Sequence, residues 1–376
     1  MTKIFDCIIV GAGPAGGTAA YHLSKKGHSV LVLEKASLPR SKPCGGGVSS
    51  VIQEWFDFDF SPAISLKTNA AYFTWNKKNA IQVDIKSYPI WMVRRDIFDH
   101  FLVQQAQNNG AKIQDDAEVT GIEFKSDRWL INTNQESFTG HYLIAADGSK
   151  GKMSKWLGFQ RQKKLVAGAL ELEIPIEKQT DINIYFELGL AQNGYVWNFP
   201  KADGFSLGAG AFGKKRKAQN FKNIIRDYGT MFKLDLATAT ESGHPIFLWN
   251  GDQKLHTQNA VLAGEAACVV DPFSAEGIRP SIFSGMKAAE AIDKALANQM
   301  DALEQYSETI TQEWGKEMSS AKRLAQVFWR FQKLGYQVVL QRPSAIATMT
   351  RIFSGELQYY DLVNRAISLL ESSLTF

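Results

Sequence analysis

The sequence predicts an α/β fold: a doubly wound parallel-sheet domain, interrupted by an inserted mixed or antiparallel sheet and closed by C-terminal helices. Three observations predict it. Near the N-terminus an apolar strand runs directly into a glycine-rich turn and a small-residue helix. Segments of alternating polarity fill residues 165–212, and residues 300–371 carry helical periodicity. At 376 residues the chain exceeds one average domain, so two lobes are expected. A hydrophobic content of 45% with 11% aromatic residues is enough for a sizeable core and excludes wholesale disorder.

Each element follows from its local pattern. Residues 4–10 (IFDCIIV) read as a buried strand, followed at once by the turn Gly11-Ala12-Gly13-Pro14-Ala15-Gly16. A helix then runs to about Lys26, stopped by Gly27, and a second strand, 29–34, ends in Glu34. This is a βαβ opening. Residues 38–47 are loop-like, with two prolines and three consecutive glycines, and short alternating strands fill 60–93. A helix is expected over 96–108, strands over 111–145, antiparallel strands over 165–212, a strand at 260–263 and a helix from about Pro280 to Ala297. The lobes divide accordingly. Residues 1–70, 94–164 and 256–298 build the doubly wound domain, 71–93 and 165–255 the inserted sheet lobe, and 299–376 the helical segment.

Composition narrows the function. A net charge of +4 is too small to argue for nucleic acid. Three scattered cysteines without CxxC spacing point to a reducing, cytoplasmic setting, with no disulfide framework and no metal site; no HxxxH pair or GxSxG elbow occurs. The apolar run from Cys7 to Leu23 lacks a basic leader and is broken by glycines, so it is not read as a signal peptide. No run of about 18 apolar residues occurs, so no membrane-spanning helix is expected.

Gly11, Gly13 and Gly16 form a GxGxxG between strand and helix. The first permits the tight turn, the second lets backbone approach a pyrophosphate, and the third lets helix pack on strand. Phosphates then sit on the free N–H groups at the helix start, where Pro14 costs no donor. Glu34, at the end of the next strand, is placed to accept ribose hydroxyls. This Rossmann-type pattern binds a dinucleotide without separating FAD from NAD. Three later segments favour FAD: Asp147-Gly148 after an apolar strand, Gly264-Glu265-Ala266-Ala267 after another, and Glu276-Gly277-Ile278 opening a helix that could face a flavin.

The set GAGPAG, Glu34, Arg95 in RRDIFDHFL, Asp147-Gly148 and GEAACVVDPFSAEGI resembles the FAD-dependent monooxygenase superfamily with the p-hydroxybenzoate hydroxylase fold. Within it, Lys42-Pro43-Cys44-Gly45-Gly46-Gly47 and Tyr195-x-Trp197-x-Phe199-Pro200 resemble the geranylgeranyl reductase family, from residue 1 to about residue 297. The resemblance implies cofactor contacts at Gly11, Gly13, Pro14, Ala15, Gly16, Glu34, Lys35, Cys44, Gly45, Gly46, Val48, Arg95, Val119, Asp147, Gly148, Gly264, Glu265, Gly277 and Ile278. It implies a substrate wall at Tyr195, Trp197, Phe199 and Pro200, with Cys44, Tyr195 and Trp197 as candidate catalytic residues. Cys44 either donates a proton or packs. Arg94 competes with Arg95 for the cofactor. Two positions depart from the family pattern, where Gly264-Glu265 replaces Gly-Asp and Ala275-Glu276-Gly277 replaces Gly-Glu-Gly.

The activity implied is reduction of prenyl double bonds by hydride from reduced flavin plus a proton, with NADPH or ferredoxin as external electron donor. Such a site needs an apolar tunnel, an acid, and electron-rich ring faces for developing positive charge. The partner is a hydrophobic, prenyl-bearing small molecule. Between Trp314 and Leu370 aromatic and aliphatic residues (Phe328, Trp329, Phe331, Tyr336, Val338, Val339, Leu340) interleave with Lys322, Arg323, Arg330, Lys333 and Arg342, a pattern suited to peripheral membrane contact, to covering a substrate cavity, or to closing the core. Alternatives on the same fold are an aromatic-ring monooxygenase, a non-redox flavoprotein isomerase or cyclase, and a catalytically silent flavoprotein.

Overall fold

A computed structural model describes residues 3–85, 88–159, 165–212, 219–251, 253–337, 342, 345, 348, 351–352, 355–361 and 363. The doubly wound sheet carries five parallel strands in the order Lys112–Gln114, Val30–Leu33, Ile4–Val10, Ser137–Ala145 and Ala260–Leu262. A short antiparallel strand, His256–Thr257, edges it, and an antiparallel ribbon, Val119–Lys125 with Arg128–Thr133, branches from the Ser137 strand. Strands buried on both faces read as unbroken apolar runs, which is why CIIV, VLVL and AVL form here. Strand order reverses between Ile4–Val10 and Ser137–Ala145. Open parallel sheets leave a crevice for ligands at the carboxyl ends flanking such a reversal.

The helix Pro14–Lys25 packs on the helices Arg95–Asn108 and Ile278–Leu296. The second of these begins two residues before the expected Pro280. The proline occupies the first turn, where its missing N–H leaves no gap in the ladder. Beyond residue 300, helices Ala302–Thr309 and Lys316–Arg330 flank a π-helical stretch, Ile310–Gly315, and a short helix, Gln332–Gly335, follows. Val338, Val339 and Leu340 lie outside the described residues. Among the described residues no helix is long and apolar enough to cross a membrane.

The second sheet has seven strands, ordered Thr240–Leu248, Leu165–Pro175, Gly204–Phe212, Gly194–Lys201, Ile184–Leu188, Ala70–Trp75 and Lys78–Asp84. All pairings are antiparallel except Ile184–Leu188 with Ala70–Trp75, so the sheet is mixed. One face buries Leu172, Ile174, Val196, Leu207 and Ala209 against Ile225 and Tyr228 of the helix Phe221–Gly229. The opposite face looks across a cavity toward the parallel sheet. A three-stranded sheet, Gly47–Ser49, Ile90–Met92 and Leu66–Thr68, bridges the two.

Candidate active site

A cavity of about 690 Å³ runs from the carboxyl ends of the parallel strands to the inner face of the mixed sheet. Its first half is made largely of backbone. Gly11 has φ of +107°, and a Cβ there would lie 2.4 Å from the Ala146 carbonyl oxygen. A Cβ on Gly16 would lie 1.9 Å from the Gly11 carbonyl oxygen, so strand, turn and helix meet only through glycine. The helix Pro14–Lys25 starts at Gly13 without a side-chain cap, which leaves its first N–H groups for an anion. Glu34 is buried and lines the cavity; its Oε2 accepts the Ala12 N–H (2.9 Å) and faces Arg40 Nε (3.2 Å). Asp147 Oδ1 is buried without a hydrogen-bond partner, and burial pushes its carboxyl pKa up. A glycine cradle, an uncapped helix start, a carboxylate at the ribose position and an orphaned acid are what an ADP-containing dinucleotide requires. The residues fit FAD.

All predicted cofactor residues line this cavity except Gly16 and Gly264. Gly16 lies behind the turn, and Gly264 N–H donates to Ser284 Oγ (2.9 Å). Arg95 is buried and donates from Nε and Nη2 to the two oxygens of Asp99 (2.7 and 2.8 Å), whose second oxygen also receives Arg40. Burial opposes the Arg95 charge, and the Asp99 carboxylate outweighs it, holding the guanidinium pKa above its ordinary value. Arg94, the competitor, points to the surface and pairs with Asp203 (3.0 Å). Glu265, one methylene longer than the family's Asp, reaches Lys42 (3.4 Å), His244 Nε2 (3.3 Å) and the Phe247 N–H (3.3 Å). Burial raises its pKa, but the His244 hydrogen bond and the Lys42 charge prevail and hold it down at about 2. Glu276, at the mouth of the Ile278 helix, accepts the Arg279 N–H (2.8 Å), and burial pushes its carboxyl up to about 7 despite the Arg279 charge.

The second half of the cavity is a side-chain wall, and three strands build it row by row. Tyr195 pairs with Gly210, Trp197 with Gly208, and Phe199 with Ser206. On the next strand Ala169, Glu171 and Glu173 pair with the same three residues. Side chains directly opposite on neighbouring strands share a face, so each aromatic is paired across the ladder with a small residue, and the third strand lies beyond. A Cβ on Gly208 would lie 2.0 Å from the Trp197 indole, which therefore rests flat on bare backbone. Tyr195 donates its hydroxyl to the Ser274 carbonyl (2.6 Å) and stacks on Trp329. Pro200 does not line the cavity: with a two-residue period it falls on the other face from Phe199.

Where the halves meet, the 42–47 loop crosses a buried polar cluster that sequence reasoning missed. The Cys44 N–H donates to Glu171 Oε1 (2.7 Å), and buried Lys201 donates to the carbonyls of Gly45 and Val93 (3.0 Å to the latter). Glu171 is 4% exposed, and burial, with Glu173 alongside, pushes its carboxyl up to about 7. The one available signal was ALELEIP, two acids facing the same way in an otherwise apolar strand.

Residues 5–184 match the FAD binding domain family. An uncharacterized protein of Methanosarcina barkeri is 33% identical over 298 residues, covering 78% of this chain and 76% of the relative. A protein named digeranylgeranylglycerophospholipid reductase, from Methanocaldococcus jannaschii, is 28% identical over 314 residues, covering 79% and 78%. The crystal structure of a geranylgeranyl bacteriochlorophyll reductase-like protein from Thermoplasma acidophilum superposes with a TM-score of 0.79 at 21% identity, over 98% of this chain and 96% of that one, and so shares the fold. With the dinucleotide cradle, the 42–47 loop and the aromatic wall facing one cavity, the chain belongs to the geranylgeranyl reductase family of FAD-dependent oxidoreductases.

Proposed function

We propose that the protein reduces carbon–carbon double bonds of a geranylgeranyl-type prenyl chain, with residues 71–93 and 165–255 forming the substrate lobe. The observation that carries this reading is continuity: the cavity that begins at the glycine cradle ends among Ala71, Phe73, Val83, Phe186, Phe328 and Trp329 without a change of compartment. An apolar tail can enter that end while its double bond lies beside the cofactor end. Reduced FAD, when bound, would supply the hydride, with NADPH or ferredoxin proposed as the external electron source.

The chain's own groups have separable tasks. Gly11, Gly13 and the helix start bind the diphosphate, and Glu34 orients the ribose. Trp197 and Phe199 exclude water and present ring faces to a carbon that becomes positive as the alkene takes up a proton. Tyr195 holds its place through the Ser274 carbonyl and stiffens that wall. Cys44 sits at the junction of the two halves, its N–H tied to Glu171.

The test is product mass. Purified protein reconstituted with FAD, reduced anaerobically and given a digeranylgeranyl glycerophospholipid should yield a gain of two hydrogens per double bond. A gain of one oxygen in air, or unchanged lipid, overturns the reading. Bleaching of the flavin bands by NADPH would identify that donor, and its absence would leave ferredoxin to be assayed. We also propose a cytoplasmic protein peripheral to a membrane. Val327, Phe331 and Leu334 are exposed across the end of the Lys316–Arg330 helix and the short helix after it, with exposed Arg323, Arg330 and Lys333 close by in sequence. Anionic vesicles should retain the protein at low salt and release it at high salt; no retention overturns this.

A further inference from the structure

We propose that Glu171 is the proton donor of the reduction, passing its carboxyl proton to a double bond held against Trp197. The inference rests on the prenyl-reductase reading above and deepens it. Four observations carry it. Glu171 lines the cavity in mid-strand, and it shares a row with Gly208 and Trp197. Because Gly208 contributes no side chain, the Trp197 indole lies over it, and no side chain of that row stands between the ring and the acid. One carboxyl oxygen is fixed by the Cys44 N–H at 2.7 Å, which leaves the other to carry the proton. The groups around the carboxyl are Glu173 on its own strand, Lys201 on the aromatic strand, Arg95 at the start of its helix, and Cys44 on the loop. Burial comes first among the influences and Glu173 second, and together they keep the acid protonated to about pH 7 against the two cations.

Rival donors are otherwise engaged. The Tyr195 hydroxyl is spent on the Ser274 carbonyl, and burial pushes its pKa up. Glu276 accepts the Arg279 N–H on one oxygen and faces the Arg279 guanidinium with the other (4.0 Å), so both of its oxygens are engaged by Arg279. The step balances. The Glu171 O–H bond breaks and one C–H bond forms, as hydride from the reduced cofactor forms the second. The π bond is consumed, the alkene gains two electrons, and the cofactor is oxidised by the same two. The Glu171 carboxylate then regains a proton from solvent by way of Glu173, which lies within the field of the surface pair Arg94 and Asp203.

The experiment compares wild type with Glu171→Gln, and uses the protein with and without FAD. With FAD bound, the variant should show the wild-type flavin spectrum and be reduced chemically at the wild-type rate, while alkene reduction falls at least about 100-fold, the scale of a lost general acid. Without FAD, the infrared difference between wild type and variant at pH 6 should contain the carbonyl band of a protonated carboxyl. That band should titrate away near pH 7. Glu173→Gln should retain the band and move its midpoint to lower pH, because it removes the neighbouring negative charge. Alkene reduction within threefold of wild type in Glu171→Gln overturns the assignment, and so does an infrared difference without the band. Wild type that leaves every prenyl bond intact while the band is present would instead strike the proposed function.

Discussion

The two halves of the cavity are built on opposite principles. On the parallel sheet the site is a set of loops at strand ends. Its shape comes from backbone that tolerates no Cβ at Gly11 or Gly16. On the mixed sheet the site is the middle of three strands, and its shape comes from large side chains lying over small ones. A cofactor common to many chemistries suits the first design, since N–H groups recognise phosphate irrespective of side chains. A hydrophobic substrate suits the second, because each wall residue can change without breaking a hydrogen-bond ladder. The cofactor end should therefore fail abruptly and the substrate end by degrees.

That contrast can be broken at several points. The largest effect is expected from Gly16→Ala, whose new methyl would sit 1.9 Å from the Gly11 carbonyl oxygen. FAD uptake, followed by flavin absorbance after reconstitution, should weaken at least about 100-fold, as when a strained backbone is forced apart. Uptake near the wild-type level would show that the cradle is more forgiving than its geometry.

Next in size is a pH effect on stability. The folded state holds Glu171 neutral to about pH 7, against an ordinary carboxyl value of 4.5, so between those limits the unfolded chain binds fewer protons than the folded one. Stability then falls as pH rises from 4.5 through 7, by on the order of 3 kcal/mol for a shift of this size. Denaturant titrations at pH 5 and pH 8 should show a smaller fall in Glu171→Gln than in wild type, and equal falls would contradict the assigned environment. Gly208→Ala comes third. Its methyl would meet the Trp197 indole at 2.0 Å, and the ring must tilt, at a cost of about 1–3 kcal/mol. Flavin binding should persist while tryptophan fluorescence shifts. Smallest is Arg94→Ala, which removes a surface ion pair with Asp203 and should cost under about 1 kcal/mol with FAD uptake unchanged.

The same contrast explains what could be read in the chain before its structure. The cofactor half announces itself because its requirements are local. Gly11, Gly13 and Gly16 are spaced by one turn of backbone, and Glu34 ends the adjacent strand. The aromatic trio could be read from its period of two, although the same period assigns Pro200 to the other face, and the family motif had grouped it with its neighbours. Lys201, His244 and Arg40 could not be read, and Glu171 showed only as an acid in an otherwise apolar strand. Their significance depends on which strand lies beside which, and register between strands far apart in sequence is not written in either strand alone. Arg40 appears as an ordinary loop cation until the fold brings it to Glu34 and Asp99.

The dispersal of the cradle along the chain has a consequence for biosynthesis. Gly11, Glu34, Arg95, Asp147 and Ile278 all line one cavity, yet they are contributed by segments separated by two excursions into the other sheet. No early portion of the nascent polypeptide can assemble the pocket, because one of its walls, the mouth of the Ile278 helix, leaves the ribosome only after nearly three-quarters of the chain. A ligand that binds only the finished pocket adds its binding free energy to that state and to no earlier one. Cofactor loading would thus serve the cell as a certificate of completed folding, and scarcity of riboflavin would show first as a shortage of the protein itself.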